Sequence, residues 1–445
     1  MRSLNRREFM KGTVGVAATY AVASPRKVRG ANDKVVIGVM GLGGRGTYLA
    51  ESFAQRPDAE IAYLCDADTR RYARAREAVE EAQNRRPKLV QDFRRVLDDR
   101  DVDVLVNATP DHWHALGSIM ACQAGKDVYV EKPMAHNIRE GRKMVEAARK
   151  YKRIIQVGMQ TRSAPYTKKA KDYIQSGKLG EIYLVRVFNM MQHRKQGDSP
   201  ARPVPEGFDY DMWCGPAPMI PYNPSRRWLN QWEFSCGPIA GDAVHQLDCA
   251  RYLMGDMPYP KTATNAGGVC SLRDGRETPD TQFATFEYPG EPGLTLTMEA
   301  ALWTPYMKKT PGDIRDSDRF PNFPFSSTKV EICGTEGFMQ YSRHGGGWQA
   351  FNSNSELVHS EYGRQADKEH KDNFIDCIRT RKKANANAEV GHQSVLLCHL
   401  ANISYRVGNK QLEFDPKTET ITNNDQANKY LGRTYRKPWV VPDEV

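Results

Sequence analysis

One feature limits what this chain can fold into more than any other. The run Val35-Val36-Ile37-Gly38-Val39-Met40 passes directly into Gly41-Leu42-Gly43-Gly44-Arg45-Gly46. A β-branched apolar run that stops at G-x-G-x-x-G and continues into Thr47-Tyr48-Leu49-Ala50 predicts strand, tight turn and helix. In that order Gly41 permits the turn, Gly43 lets the backbone approach a pyrophosphate, and Gly46 lets the helix pack close to the strand. The helix start then presents unpaired N–H groups and its positive dipole end to phosphates. Asp66, twenty residues past Gly46 and just beyond the apolar run 61–65, is placed to accept hydrogen bonds from an adenosine ribose. Together these residues predict a dinucleotide site rather than a glycine-rich turn.

The pattern around this motif is α/β. Helices are expected over 69–84, 114–124 and 138–151, alternating with strands over 102–108, 127–130 and 153–157. That alternation predicts a parallel, doubly wound sheet whose ligands sit at the carboxyl ends of the strands. Farther on, 181–190, 282–288, 294–298 and 328–333 have period-two alternation or strand-like composition, which predicts a largely antiparallel sheet in a second domain. Helices are expected there over about 368–381 and 393–407. Between the first two of those strand segments, 192–232 is rich in Pro, Gly and aromatic residues and reads as a site-forming loop. The expected division is 1–31 as a leader, 32–158 as the nucleotide-binding domain and 159–445 as a substrate and oligomerisation domain.

The leader has its own logic. Asn5-Arg6-Arg7-Glu8-Phe9-Met10-Lys11 precedes a short apolar stretch ending in Ala21-Val22-Ala23. A charged head, a short apolar core and an A-x-A site make an export signal rather than a membrane helix. The paired arginines resemble a twin-arginine signal, although Asn5 and Met10 depart from its usual pattern. Periplasmic or exported location is therefore expected, with cleavage after Ala23 or nearer Ala31. Residues 1–23 also carry +3 of the chain's net charge of +10, leaving about +7 on a protein processed after Ala23. No nucleic-acid motif accompanies that surplus, so a solvated surface is expected. No apolar run approaches the ~20 residues needed to span a bilayer. Nine cysteines without a C-x-x-C pair predict neither a disulfide framework nor a zinc site.

Lys132, in Glu131-Lys132-Pro133, follows the strand 127–130 at the cofactor end of the parallel sheet. It could hydrogen-bond a substrate oxygen or exchange a proton with it. Thr109-Pro110-Asp111-His112-Trp113-His114 follows the preceding strand, with Thr109 a candidate N-cap and Pro110 a candidate first helical residue. His112 and His114 as a metal pair would lack further ligands, so no metal is expected.

These motifs in combination resemble the Gfo/Idh/MocA oxidoreductase family. The resemblance continues through Gln156-Val157-Gly158-Met159-Gln160 with Arg162, Trp213-Cys214-Gly215-Pro216-Ala217-Pro218, residues 237–248 and Tyr435-Arg436-Lys437-Pro438-Trp439. It implies a Rossmann domain, a C-terminal α/β domain with a large open sheet, a homodimer or homotetramer formed through that sheet, and hydride transfer with sugars or polyols. It implies cofactor binding by Gly41, Gly43, Gly44, Arg45 and Gly46, by Asp66, and by Thr109, Pro110, His112 and His114. Glu131, Lys132 and Gln160 complete that set. Lys132 matches the family's catalytic lysine and His245 its catalytic histidine.

One departure stands out. Family members often carry an aspartate four residues before that histidine, where this chain has Gly241 with Asp242 beside it. On a helix Asp242, His245 and Asp248 share a face, so Asp242 is expected to orient His245 or share its proton. NAD is the expected cofactor, since the Asp66 carboxylate repels a 2′-phosphate; Arg70 and Arg71 leave NADP open. The leading expectation is an exported oxidoreductase acting on a carbohydrate with tightly bound, self-recycled cofactor. Its rivals are an NAD-dependent glycoside hydrolase or lyase working through a transient keto-sugar, and a non-catalytic sugar sensor.

Overall fold

The computed structural model describes residues 34–197, 199–291 and 293–445. The expected leader, 1–31, lies outside the described residues. Lys34–Val445 forms one compact unit. Its first six strands are β1 (Val35–Met40), β2 (Ala59–Cys65), β3 (Lys88–Val90), β4 (Val104–Asn107), β5 (Asp127–Val130) and β6 (Ile155–Val157). They pair in parallel in the order β3-β2-β1-β4-β5-β6. The order reverses between β1 and β4, and the crevice at such a reversal is where doubly wound sheets bind ligands.

Ten further strands form a second sheet. They are β7 (Ile182–Met190), β8 (Thr262–Gly268), β9 (Thr281–Tyr288), β10 (Leu294–Ala301), β11 (Lys329–Gly334), β12 (Gly337–Ser342), β13 (Trp348–Asn352), β14 (Leu357–Glu361), β15 (Leu412–Asp415) and β16 (Thr420–Ile421). Their order is β14-β13-β12-β11-β7-β10-β9-β8-β15-β16, antiparallel throughout except for β7 with β10. In β9 the alternation buries Gln282, Ala284, Phe286 and Tyr288 and turns Phe283 outward. The outer face also carries ion pairs from Arg186 to Glu299 and Glu331.

Where the sequence expectations differ, local hydrogen bonds explain it. The helix expected over 69–84 begins as a 3-10 turn, because the Asp68 carboxylate accepts from Arg70 N before Tyr72–Gln83 starts. Thr109 is not an N-cap: its hydroxyl donates to Asn107 Oδ1 (2.7 Å), and a 3-10 turn at Asp111–Trp113 precedes the helix His114–Gln123. The last long helix starts at Ala388 rather than 393, since Asn387 accepts from Glu389 N and Val390 N. The chain also crosses the expected boundary at 158/159. Helix Asp367–Thr380, which follows the second sheet, packs Phe374 against Phe53 and Tyr129 of the nucleotide-binding half. All nine cysteines are free, and no helix among the described residues is long and apolar enough to cross a membrane.

Candidate active site

A cavity of about 780 Å³ opens at the carboxyl ends of β1, β4 and β5 and is closed on its far side by the second half of the chain. The glycine loop forms its floor. Gly41 has φ +90°, and a Cβ there would stand 2.7 Å from the backbone of Ala108 and Thr109. A Cβ on Gly46 would overlap the Gly41 carbonyl oxygen. These two glycines are required by the protein's own packing. Gly43 and Gly44 are different, because a Cβ on either would meet no protein atom within 4 Å. Their bareness suits the approach of a ligand. The helix Gly44–Ala54 that follows has no side-chain cap and no acidic residue in its first turn, which leaves its N–H groups to an anion.

Asp66 lines the same floor, but its first task is structural. Oδ2 accepts from Leu42 N (2.6 Å) and Oδ1 from Asp68 N (2.9 Å), so the carboxylate holds the glycine turn in shape. Burial raises its pKa from the ordinary aspartate value. Each oxygen keeps a second lone pair for a ribose hydroxyl. Of the two nearby arginines, Arg71 lines the cavity, whereas Arg70 is bound by Asp68 through two contacts of 2.7 Å.

Arg45, Glu131 and Gln160 also line the cavity, joined as one network. Arg45 donates to Glu131 (2.7 Å) and Asp367 (3.2 Å). The Gln160 amide, oriented so that its oxygen accepts from Arg45 (2.7 Å), donates to Gly158 O (3.0 Å). Burial opposes ionisation of Glu131, but Arg45 and Lys132 outweigh it and hold its pKa below the usual value. Thr109 and Pro110 line the wall. His112 and His114 do not. The His112 ring nitrogens face the carbonyls of Phe234 (3.2 Å) and Trp213 (2.8 Å), and those of His114 face Pro133 (2.6 Å) and Thr109 (2.9 Å). Both expected cofactor ligands are thus corrected to structural residues, because each ring is turned into the protein between two backbone carbonyls, to one of which its N–H donates.

The chemical end lies across the cavity. Lys132 donates from Nζ to the carbonyl of Gly241 (2.7 Å), the position of the missing aspartate. Asp242 and His245 project from the helix Gly237–Leu253 into the cavity. Nδ1 of His245 is buried with no hydrogen-bond partner. Burial, then the positive charges of Arg343 and Lys132, hold the pKa of His245 well below 6.5, so the ring is neutral and can accept a proton. Burial would raise the Asp242 pKa, but Lys309, Arg343, Lys132 and His193 outweigh it and keep the carboxylate ionised. Its nearest cation is Lys309, at 3.8 Å. No hydrogen bond joins Asp242 to His245, so the expected orienting pair does not form. Asp248 points elsewhere, accepting from Arg162 (2.7 Å) and Ser394 (2.7 Å) in the core.

The lining residues that escaped the sequence reading include His193, Lys309, Arg343 and His344. They follow β7, β10 and β12 in loops without a motif. Only Gly345-Gly346-Gly347, all at positive φ, could have signalled that Arg343 and His344 sit on a built turn.

The aromatic loop is a strap across the nucleotide-binding half. Gly207 O accepts from Thr69 N (2.9 Å) and Gln91 Nε2 (3.2 Å), and Asp209 N donates to Ala67 O (2.9 Å). Trp113 Nε1 donates to Met212 O (3.0 Å). The C-terminal segment fastens it: Arg436 donates to Gly215 O and to Asp211, while Arg433 donates to Glu233 O and His112 O.

With this geometry in hand, comparison with known proteins identifies the family. Residues 35–159 match the model of the oxidoreductase family's NAD-binding Rossmann fold, and residues 171–410 match that of its C-terminal alpha/beta domain. The chain belongs to the Gfo/Idh/MocA oxidoreductase family. As a family member it carries an NAD-binding Rossmann domain, and the bare backbone at Gly43 and Gly44 fits that cofactor. Among its relatives, glycosyl hydrolase family 109 protein 2 of Shewanella sp. (strain ANA-3) is 32% identical over 171 residues, 33% of this chain and 38% of that protein. Levoglucosan dehydrogenase of Pseudarthrobacter phenanthrenivorans is 30% identical over 191 residues, 41% of this chain and 43% of the relative. The chain thus spans less than half the length of each of these two relatives. The WlbA dehydrogenase of Bordetella pertussis, solved with NADH and UDP-GlcNAcA, superposes with a TM-score of 0.62 at 22% identity. That superposition covers 86% of this chain and 99% of WlbA, and shows a shared fold.

Proposed function

We propose that this protein oxidises a hydroxyl of a sugar or sugar derivative. The observation that carries the reading is that Lys132 and the neutral, unpartnered His245 line the same cavity as the bare backbone of Gly43. NAD supplies the carbon that takes up the hydride. His245 removes the hydroxyl proton as the C–H hydride departs, leaving a carbonyl. Lys132, anchored by the Gly241 carbonyl, donates to the reacting oxygen and stabilises its developing charge. Asp66 favours NAD over NADP, and Arg71 alone of the two arginines is placed to meet a 2′-phosphate.

The strap favours tight retention of the cofactor, since it lines the cavity with Met212, Trp213 and Trp228 and is tied to the nucleotide-binding half by the bonds of Gly207 and Asp209. A protein exported already folded, as a twin-arginine leader would require, meets little free NAD outside the cytoplasm. We therefore take the whole reaction to be redox-neutral, with the bound nicotinamide reduced and then reoxidised. The glycoside hydrolase or lyase reading is one form of this, favoured by the similarity to a glycosyl hydrolase family 109 protein. Oxidation of one sugar carbon acidifies the neighbouring C–H and permits loss of the glycosidic substituent. The open outer face around Phe283 is where a dimer or tetramer would form.

Mass spectrometry of products from a panel of sugars and glycosides tests the activity. A cleaved glycoside, or a keto-sugar matched by an equal amount of a second sugar reduced at its carbonyl, is the expected product, and no product from any of them sinks the reading. Gel filtration tests retention: the protein should keep its NAD, and substrate alone should give at most one equivalent of reduced nicotinamide per subunit. A protein that emerges empty and needs added NAD continuously is an ordinary dehydrogenase instead.

A further inference from the structure

The two ends of the cavity balance charge differently. At the nucleotide end Arg45 is neutralised by Glu131 and Asp367. Asp111, another lining carboxylate, is turned into the protein, accepting from Ser235 Oγ (2.8 Å) and Cys236 N (3.0 Å). The far end brings Lys132, Lys309 and Arg343 to the wall that carries the carboxylate of Asp242. Among the described residues Arg343 has no carboxylate within ion-pair distance; its guanidinium lies against the His344 ring instead. Lys309 reaches Asp242 only at 3.8 Å, and Asp242 Oδ2 is buried without a hydrogen-bond partner. Lys132, Lys309 and Arg343 together exceed Asp242 by two positive charges, one of them on the lysine directed at the reacting oxygen. Uncompensated charge in a partly buried site is costly, and a negatively charged ligand relieves it.

Both cations are held in place. Lys308 N donates to Phe325 O (3.0 Å) and Ser327 N to Lys308 O (2.9 Å) on one side of Lys309. On the other side Thr310 Oγ1 meets Ser342 Oγ (2.9 Å). Arg343 N donates to Thr328 O (3.3 Å), Thr328 Oγ1 contacts His344 Nδ1 (2.7 Å), and the three glycines that follow turn the chain back. An arginine fork beside a lysine is suited to a carboxylate, sulfate or phosphate, whose oxygens can accept from both.

We propose that the substrate is an acidic sugar, one bearing a single anionic group that Arg343 and Lys309 hold while its reacting hydroxyl lies between Lys132 and His245. The placement of the hydroxyl rests on the oxidoreductase reading; recognition of the anion does not. The test is calorimetric binding to the NAD-loaded full chain, using matched pairs: glucuronate against glucose, galacturonate against galactose, and glucose 6-sulfate against glucose. The acidic member of at least one pair should bind ~10-fold or more tightly, as two charge-assisted hydrogen bonds would provide. Added salt should erode that preference. The uronates and the sulfate separate carboxylate from sulfate-ester recognition. Arg343→Gln and Lys309→Gln should each remove most of the preference while melting temperature and NAD content stay unchanged; Lys309→Gln serves if Arg343→Gln folds poorly. Equal binding within every pair, or binding of no sugar, overturns the proposal. Tight binding of an acidic sugar without any product would leave it standing and sink the oxidoreductase reading instead.

Discussion

The nucleotide end and the substrate end of this cavity are built on opposite principles. At the nucleotide end nearly every polar group is already spoken for: Asp66 braces the glycine turn, and Arg45, Glu131, Gln160 and Asp367 hold one another. Recognition there falls to bare backbone. At the substrate end His193 Nδ1, Asp242 Oδ2 and His245 Nδ1 are buried and unpartnered, so side chains stand ready for chemistry. A rigid, self-satisfied frame suits a ligand that stays, whereas unsatisfied groups suit one that is changed and released.

The largest expected effects would break this contrast at the glycines. Gly46→Val drives a side chain into the Gly41 carbonyl, which should cost about 3 kcal/mol of stability and abolish NAD binding. Gly43→Ala should leave the unfolding midpoint unchanged, since its Cβ meets no protein atom within 4 Å, yet weaken NAD binding at least ~10-fold, about 1.4 kcal/mol. Equal destabilisation by the two, read from urea melts, would mean that Gly43 also serves packing.

At the other end, Lys132→Met should keep the cofactor but lower turnover by ~10²–10³. Near-normal single-turnover rates would remove Lys132 from the mechanism. His245→Ala should cost ~10² in turnover and Asp242→Asn about tenfold, because no hydrogen bond makes the pair a unit. Equal losses would show that they couple on substrate binding.

A smaller effect concerns pH. Burial holds His370 at about 4, against 6.5 for an unperturbed histidine, with Nε2 facing Val157 O (2.8 Å). The unfolded chain takes up this proton first. Its contribution is therefore complete above pH 6.5 and is lost as pH falls towards 4, amounting to about 3 kcal/mol. Urea melts at several pH values should show that slope, and His370→Asn should make it shallower, the rest coming from other buried histidines such as His112 and His399, which burial holds at about 3; an unaltered slope in the variant would assign the loss to those groups. The smallest effect is expected from Arg436→Ala, which loosens the strap at Asp211 and Gly215. NAD should leave a few-fold faster, with stability changed by about 1 kcal/mol or less.

The sequence reading placed the strands of the Rossmann sheet closely because they announce themselves by composition. β5 and the helix starts at His114 and Ile138 fall where expected. β3, β8 and β12 to β16 went unread: β8 is made of small and polar residues with no strongly apolar side chain, and several of the others are three to five residues long or exposed, as β14 is, where alternation needs more residues or a buried face to show. The same limit governed the histidines. Their place after β4 was legible, but ring direction depended on Trp213, Phe234 and Pro133, brought there by the strap and the β5 turn.

By itself, then, the sequence determined the nucleotide site, since its demands are met within one short strand–turn–helix–strand stretch from Gly41 to Asp66: a turn only glycine tolerates at Gly41, a helix–strand approach only glycine permits at Gly46, and an acid at the next strand end. Family motifs extended that reach to Lys132 and His245. Only the tertiary structure decided the character of the opposite end. His193, Lys309 and Arg343 stand on three separate loops, and the field they create depends on distances across the cavity rather than on spacing along the chain. Backbone sterics are local and leave a signature in neighbouring residues, whereas electrostatic balance is a sum over groups that folding alone brings together.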